Sequence, residues 1–213
     1  MILKAAIIGT HGTIKTTLAH HLGGALKEEK ADVYTIQEIA RKCPYPLNGI
    51  DIRAQKWIAA NQYLREIEEK RHFEIIESEN KKTQNIPRIL LCDRSTLDAY
   101  IYTVDLCKKQ NLNMPSWIPE LVSENMPSYD FLFLTSMSSS GIDDDGVRSI
   151  DPEYQKTIDN LLRKYLNKKK IKYHALDYSP LNGNASPTKT DYKKLREAQV
   201  EQMVEIITKK WKK

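Results

Sequence analysis

Short apolar runs of strand length alternate along this chain with segments of helical period. Ala5-Ala6-Ile7-Ile8 ends at Gly9, Val33-Tyr34-Thr35-Ile36 runs into Gln37, Ile89-Leu90-Leu91-Cys92 ends at Asp93, and Phe131-Leu132-Phe133-Leu134 ends at Thr135-Ser136. Tyr173-His174-Ala175-Leu176 is a weaker fifth run. Continuous apolar runs, rather than alternating ones, belong to parallel strands covered on both faces. Between them, Leu18, Leu22, Ala25 and Leu26 recur at helical spacing. A long helical stretch is predicted over 51–82, with Trp57, Leu64, Ile67 and Ile75 as its apolar residues. Glu66 with Lys70 and Glu77 with Lys81, in the favourable i,i+4 order, make its exposed side. Asp151-Pro152 reads as a helix start, a cap acceptor followed by a fixed φ. Tyr154, Ile158, Leu161, Leu162, Tyr165 and Leu166 line the helix after it, and Tyr192, Leu195, Met203, Ile206 and Ile207 mark a last helix. The segments 108–128 and 178–190, rich in Pro, Asn and Ser, read as the loosest. The expected fold is one α/β domain over residues 1–213: three layers, with a five-stranded parallel sheet and helices on both faces.

Bulk properties narrow the picture little. With 213 residues, 40% hydrophobic and 29% charged, the chain can bury one sizeable core. No stretch approaches the roughly 18 apolar residues of a membrane span. The start, Met1-Ile2-Leu3 before Lys4, lacks the pattern of a secretory leader, so a cytoplasmic protein is expected. Cys43, Cys92 and Cys107 lack zinc-ligand spacing and read as reduced structural thiols. A net charge of +5 suits an anionic small molecule and does not by itself argue for nucleic acid. Much of the excess lies in Lys168-Lys169-Lys170 and the tail Lys209-Lys210-Trp211-Lys212-Lys213, read as solvated surface.

The chemistry begins after the first strand, at Gly9-Thr10-His11-Gly12-Thr13-Ile14-Lys15-Thr16-Thr17. The pattern G-x-x-x-x-G-K-[ST] between a strand and a helix wraps a β-phosphate in backbone N–H groups. Its lysine reaches the phosphates, and its hydroxyl residue ligates Mg²⁺. Gly9, Lys15 and Thr16 stand at the required spacing, but Ile14 occupies the place of the second glycine. A β-branched residue at positive φ costs about 1–3 kcal/mol. Expressed wholly in binding, that weakens a nucleotide about 5- to 150-fold.

Three further segments belong beside the loop. Asp93-Arg94-Ser95, at the end of the third strand, offers a carboxylate to Mg²⁺; its bland alternative is a helix cap. Gln37-Glu38-Ile39-Ala40-Arg41 brings Glu38 to the ligand-binding edge of the sheet, where it can accept a hydroxyl proton, and Arg41 can grip an anion. The alternative is an exposed ion pair at a helix start. The segment 137–152, with Asp143-Asp144-Asp145 and Arg148, has the small polar composition of a lid; it lacks the calcium-loop spacing.

Together, GTHGTIKTT at Gly9–Thr17, QEIAR at Gln37–Arg41, CDRS at Cys92–Ser95 and DDGVRS at Asp144–Ser149 make residues 1 to about 166 resemble P-loop kinases. The groups resembled are the nicotinamide riboside kinase domain of bacterial NAD regulators and the deoxynucleoside and thymidylate kinases. The resemblance implies ATP with Mg²⁺, and phosphoryl transfer to a small nucleoside- or nucleotide-like acceptor. It implies Lys15 and Thr16 on ATP, Glu38 near the acceptor hydroxyl, Asp93 and Arg94 beside the reacting phosphates, Arg148 in a mobile lid, and Gln62 as a base-reading glutamine. A homodimer is compatible with it. Ile14 departs from the family pattern and leaves two rivals open: a degenerate nucleotide-binding module, and an NTPase switch acting on a protein partner.

Overall fold

The computed structural model describes residues 1–47, 51–79, 85–136, 151–176 and 188–212. Five strands, β1 (Ile2–Ile8), β2 (Asp32–Ile36), β3 (Arg88–Asp93), β4 (Phe131–Leu134) and β5 (His174–Ala175), form one sheet in the order β2-β3-β1-β4-β5. Every pairing is parallel, and the register sets Ile7 opposite Asp93 and Ile8 opposite Leu134. The carboxyl ends of β1, β3 and β4 therefore finish at one edge. There the strand order reverses about β1, the place where open α/β sheets hold ligands.

Alternation along the strands divides the core in two. Ala6, Ile8, Leu90, Cys92, Leu132 and Leu134 face a layer made by α2 (Ile52–Glu79), α3 (Thr96–Gln110), α4 (Trp117–Asn125) and α5 (Pro152–Lys169). Ala5, Ile7, Ile89, Leu91, Phe131 and Phe133 face α1 (Lys15–Glu28) and α6 (Lys189–Thr208). The result is the three-layer arrangement expected. Asp151 caps α5 as predicted, its side chain accepting from Glu153 N at 3.0 Å. The three cysteines are free thiols.

Two expectations fail. The stretch 108–128 is not loose: α4 and a 3₁₀ turn at Met126–Ser128 lie within it, burying Ile118, Val122 and Met126. Their apolar residues are too few and too close to prolines to show a period. In α2 the side expected to be exposed is partly buried and its apolar residues are mostly not: Trp57 packs against the core, but Leu64 (53% exposed), Ile67 (46%) and Ile75 face outward. The buried stripe runs instead through Gln55, Ala59, Gln62, Glu66 and Phe73. That spacing is helical and its content is largely polar. Glu66, expected on the surface with Lys70, is 1% exposed.

Candidate active site

The first strand delivers the chain into a tight loop. Gly9 has φ +144°, and a Cβ there would lie 2.2 Å from Thr135 Oγ1, so glycine is required twice over. Gly12 also has positive φ, at 68°. Ile14 stands at φ 52°, ψ 18°, in the left-handed region that glycine occupies freely and a β-branched residue does not. It is the N-cap of α1, and its side chain accepts no hydrogen bond. Helices α3, α5 and α6, by contrast, are capped by Ser95, Asp151 and Thr188. The first-turn N–H groups of α1 thus have no side-chain cap among the described residues, and an anion can take its place.

Lys15 is buried and folds back into the loop, donating to the Thr10 carbonyl and, at 3.0 Å, to Thr13 Oγ1. Burial, reinforced by the charge of Arg94, lowers its pKa to about 7. Thr16 Oγ1 donates to Asp93 Oδ2 at 2.6 Å. Asp93 is 1% exposed, and its other oxygen, Oδ1, makes no hydrogen bond among the described residues. Burial raises its pKa, partly opposed by the Thr16 hydrogen bond. A buried carboxylate with an idle oxygen beside a threonine hydroxyl is a hard oxygen donor set, and Mg²⁺ fits it. Among the described residues no cluster of three or more His, Cys, Asp or Glu side chains could hold a metal. An ion here would therefore need phosphate or water oxygens to complete its shell. Asp93 is not a helix cap; that role belongs to Ser95 in a box with Asp98.

Next to the loop opens a pocket lined by Glu38, Gln55, Gln62, Arg94, Tyr102 and Tyr154, among others. Arg94, at φ 80°, is buried and donates to Glu38 Oε1 at 2.6 Å. Burial works against its charge, but Glu38 foremost holds its pKa above the ordinary arginine value. Its Nη1 also reaches the Gly9 carbonyl at 3.4 Å. Glu38, buried just after β2, takes Arg41 Nε at 3.2 Å as well, so it is no exposed helix-start pair. Arg41 itself is exposed and outside the pocket lining. Gln62 donates its amide nitrogen to Glu66 Oε1 at 2.6 Å and to the Arg94 carbonyl at 3.5 Å.

The profile of a family described as AAA domain matches residues 4–180. The chain belongs to that family. Among solved structures, this AAA-domain chain resembles a deoxyadenosine kinase from M. mycoides at 13% identity and TM-score 0.57, covering 97% of this chain and 99% of that one. It resembles thymidylate kinase from Ehrlichia chaffeensis at 16% identity and TM-score 0.56, over 95% and 98% of the two chains. It also matches a NadR protein solved in complex with NR, at 17% identity and TM-score 0.52, over 94% of this chain but 51% of that one. A search of the curated proteins by sequence finds no match. The shared fold is that of P-loop nucleoside and nucleotide kinases.

Within the AAA-domain fold, Gly9 to Thr17, Glu38, Gln62, Asp93 and Arg94 gather at one edge of the sheet. Arg148 and the aspartates of the lid segment lie outside the described residues. Sequence reasoning missed the residues that hold the loop in place. Asp98 Oδ1 accepts Gly9 N at 3.1 Å, while its Oδ2 accepts Ser95 N at 2.8 Å, tying the loop to the start of α3. Tyr102 Oη accepts His11 N at 3.0 Å, and Gln155 Nε2 donates to the His11 carbonyl at 2.7 Å. Ser95-x-x-Asp98 is a capping-box spacing legible in the chain; Tyr102 and Gln155 carry no such signal.

Proposed function

We propose that the protein transfers the γ-phosphoryl group of ATP to a hydroxyl or phosphate of a small nucleoside- or nucleotide-like acceptor. One observation carries the reading: Lys15, Thr16 and Asp93, with the idle Asp93 Oδ1, stand at the sheet edge directly beside a pocket that holds Glu38 and Arg94. The loop amides and the α1 N-terminus bind the triphosphate. Lys15 gives up its contacts with the loop and moves onto the phosphates. Thr16 and Asp93 would hold Mg²⁺, which supplies charge neutralisation on the phosphate oxygens when bound. Arg94, kept charged by Glu38, faces the transferring group. Glu38 orients the acceptor hydroxyl and takes its proton; in a loose transition state the positioning matters more than the proton removal. Ile14 weakens the triphosphate site through backbone strain, which also supports a second reading, a nucleotide-binding module that has lost turnover.

ATP titration in parallel with ADP release over a nucleoside and nucleotide panel tests the proposal. Kinase activity predicts that Asp93→Asn abolishes Mg²⁺-dependent turnover with little change in melting temperature. It also predicts that Glu38→Gln lowers acceptor phosphorylation more than ATP binding. ATP binding with no product from any acceptor, also after Ile14→Gly, establishes the binding module instead.

A further inference from the structure

The phosphate loop is anchored at alternate residues. Gly9 N donates to Asp98 Oδ1 at 3.1 Å, and Thr13 Oγ1 shares a hydrogen bond with Thr135 Oγ1 at 2.7 Å. His11, between them, is gripped most. Its N–H donates to Tyr102 Oη at 3.0 Å, its ring Nδ1 lies 2.8 Å from the same hydroxyl, and its carbonyl accepts Gln155 Nε2 at 2.7 Å. Its ring also packs against Tyr154, centroid to centroid 5.3 Å. Tyr102 belongs to α3 and Gln155 to α5, so two helices hold the two backbone groups of one loop residue.

That grip works against a load. Ile14, three residues on, stands at φ 52°. Glycine takes positive φ freely and a β-branched residue does not. A strained backbone persists only where its surroundings over-determine it. Released from its anchors, a loop carrying Ile14 would relax, and a triphosphate would bind only the fraction still in shape.

We infer that Tyr102 and Gln155 are positioning residues that hold the phosphate loop in its binding shape against the strain of Ile14. This rests on the reading of the loop as the triphosphate site. Both side chains act through His11, and both act on the same equilibrium as the strain, so the effects do not add. With Ile14 in place the relaxed shape is within reach, and each hydrogen bond lost is felt in full, at about 2- to 13-fold per bond. With glycine there the binding shape is favoured without help, and the same loss is largely absorbed.

The experiment is a double-mutant cycle of Tyr102→Phe with Ile14→Gly. It is read by amide hydrogen exchange of the ligand-free loop and by stopped-flow binding of the fluorescent analogue mant-ATP with Mg²⁺. Tyr102→Phe keeps the ring and removes only the hydroxyl. With Ile14 in place it should speed exchange over residues 12–16, beyond the amide that loses its acceptor, about fivefold or more. The association rate should fall by a similar factor, with dissociation within about twofold, because a bound phosphate then holds the loop itself. In the Ile14→Gly background both effects should shrink to within about twofold. Gln155→Leu, on the other helix, should repeat the pattern, and it decides the matter if Tyr102→Phe does not fold. Exchange needs no nucleotide, so it decides the matter where the parent binds mant-ATP too weakly to follow. Damage to the fold at large would act alike in both backgrounds and speed exchange in β1 and β3 as well. Equal effects in the two backgrounds, no effect in either, a change in dissociation alone, or no binding of mant-ATP by Ile14→Gly overturns the inference. The expected pattern in a protein that phosphorylates no acceptor upholds it and removes the kinase reading instead.

Discussion

The phosphate loop and helix α2 line the same cleft with opposite resources. From Gly9 to Thr16 the work falls on the backbone: φ values of +144°, 68° and 52° at Gly9, Gly12 and Ile14 shape the loop, and α1 starts without a side-chain cap. In α2 it falls on side chains: Gln55, Gln62 and Glu66 turn inward while Leu64, Ile67 and Ile75 turn out. A backbone site is stabilised by glycines and a strand-to-helix junction, and tolerates change at most of its side chains. A side-chain site is stabilised by completing every hydrogen bond, and tolerates change where the polarity pattern alone would forbid it.

The comparison is sharpest at Glu66. Its carboxylate pairs with the buried Lys4 Nζ at 2.5 Å, and alanine would leave that ammonium with the neutral acceptors Asn125 Oδ1 and Ser128 Oγ. Breaking a buried pair in this way costs about 3–5 kcal/mol, which for a domain of this size is a fall of about 6–20 °C in melting temperature. Thermal unfolding of Glu66→Ala measures it. A fall of only a degree or two would mean that the cluster is not the anchor of α2.

Next in size is Ile14→Gly. Glycine relieves strain of about 1–3 kcal/mol, and nucleotide affinity should rise about 5- to 150-fold. Calorimetry with MgATP on parent and variant decides it; equal affinities would show that the loop accommodates isoleucine without cost to binding.

These two sites also explain what could be read from the chain. The loop follows a fixed spacing because each backbone group has a fixed job, so Gly9, Lys15, Thr16 and the misfit at Ile14 were visible, as were the five strands. The polar residues behind the cleft were not. Glu66 at i+4 from Gln62 looks like any solvated helix pair until Lys4, more than sixty residues upstream, and Asn125 and Tyr129, about sixty downstream, are brought to it. Helix α4 escaped notice because its inward residues, Ile118 and Val122, are too few to set a period.

An effect spread over pH comes from Lys15. Its pKa falls from 10.5 to about 7 on folding, first through burial. Between pH 7 and 10 the unfolded chain then binds the proton that the folded protein has released, so this group makes stability rise with pH across that window and adds no slope below it. The slope is about 1.4 kcal/mol per pH unit at most. Lys15→Met should flatten the rise in melting temperature between pH 7.5 and 9.5. An unchanged profile would place the Lys15 ammonium in solvent rather than in the loop.

The smallest expected effect lies on the outer side of α2. Leu64 and Ile67 are about half exposed, at 53% and 46%, and neither belongs to the buried clusters. Changing both to glutamine keeps good helix formers in place, so helix propensity moves little. Little buried apolar surface is lost, and surface substitutions of this kind stay within about 0.5 kcal/mol. The double variant should therefore melt within a degree or two of the parent, although a reading of apolar positions alone ranks it as a core disruption. The measurement also tests association. Were this stripe the contact between two copies of the chain, the parent's melting temperature would rise with protein concentration, because a partner that binds the folded state stabilises it by mass action. The variant would lose that dependence and melt lower. A concentration-independent melting temperature in both proteins, with the two values matching, leaves the stripe as a solvated helix face and the inward polar residues as what fixes α2.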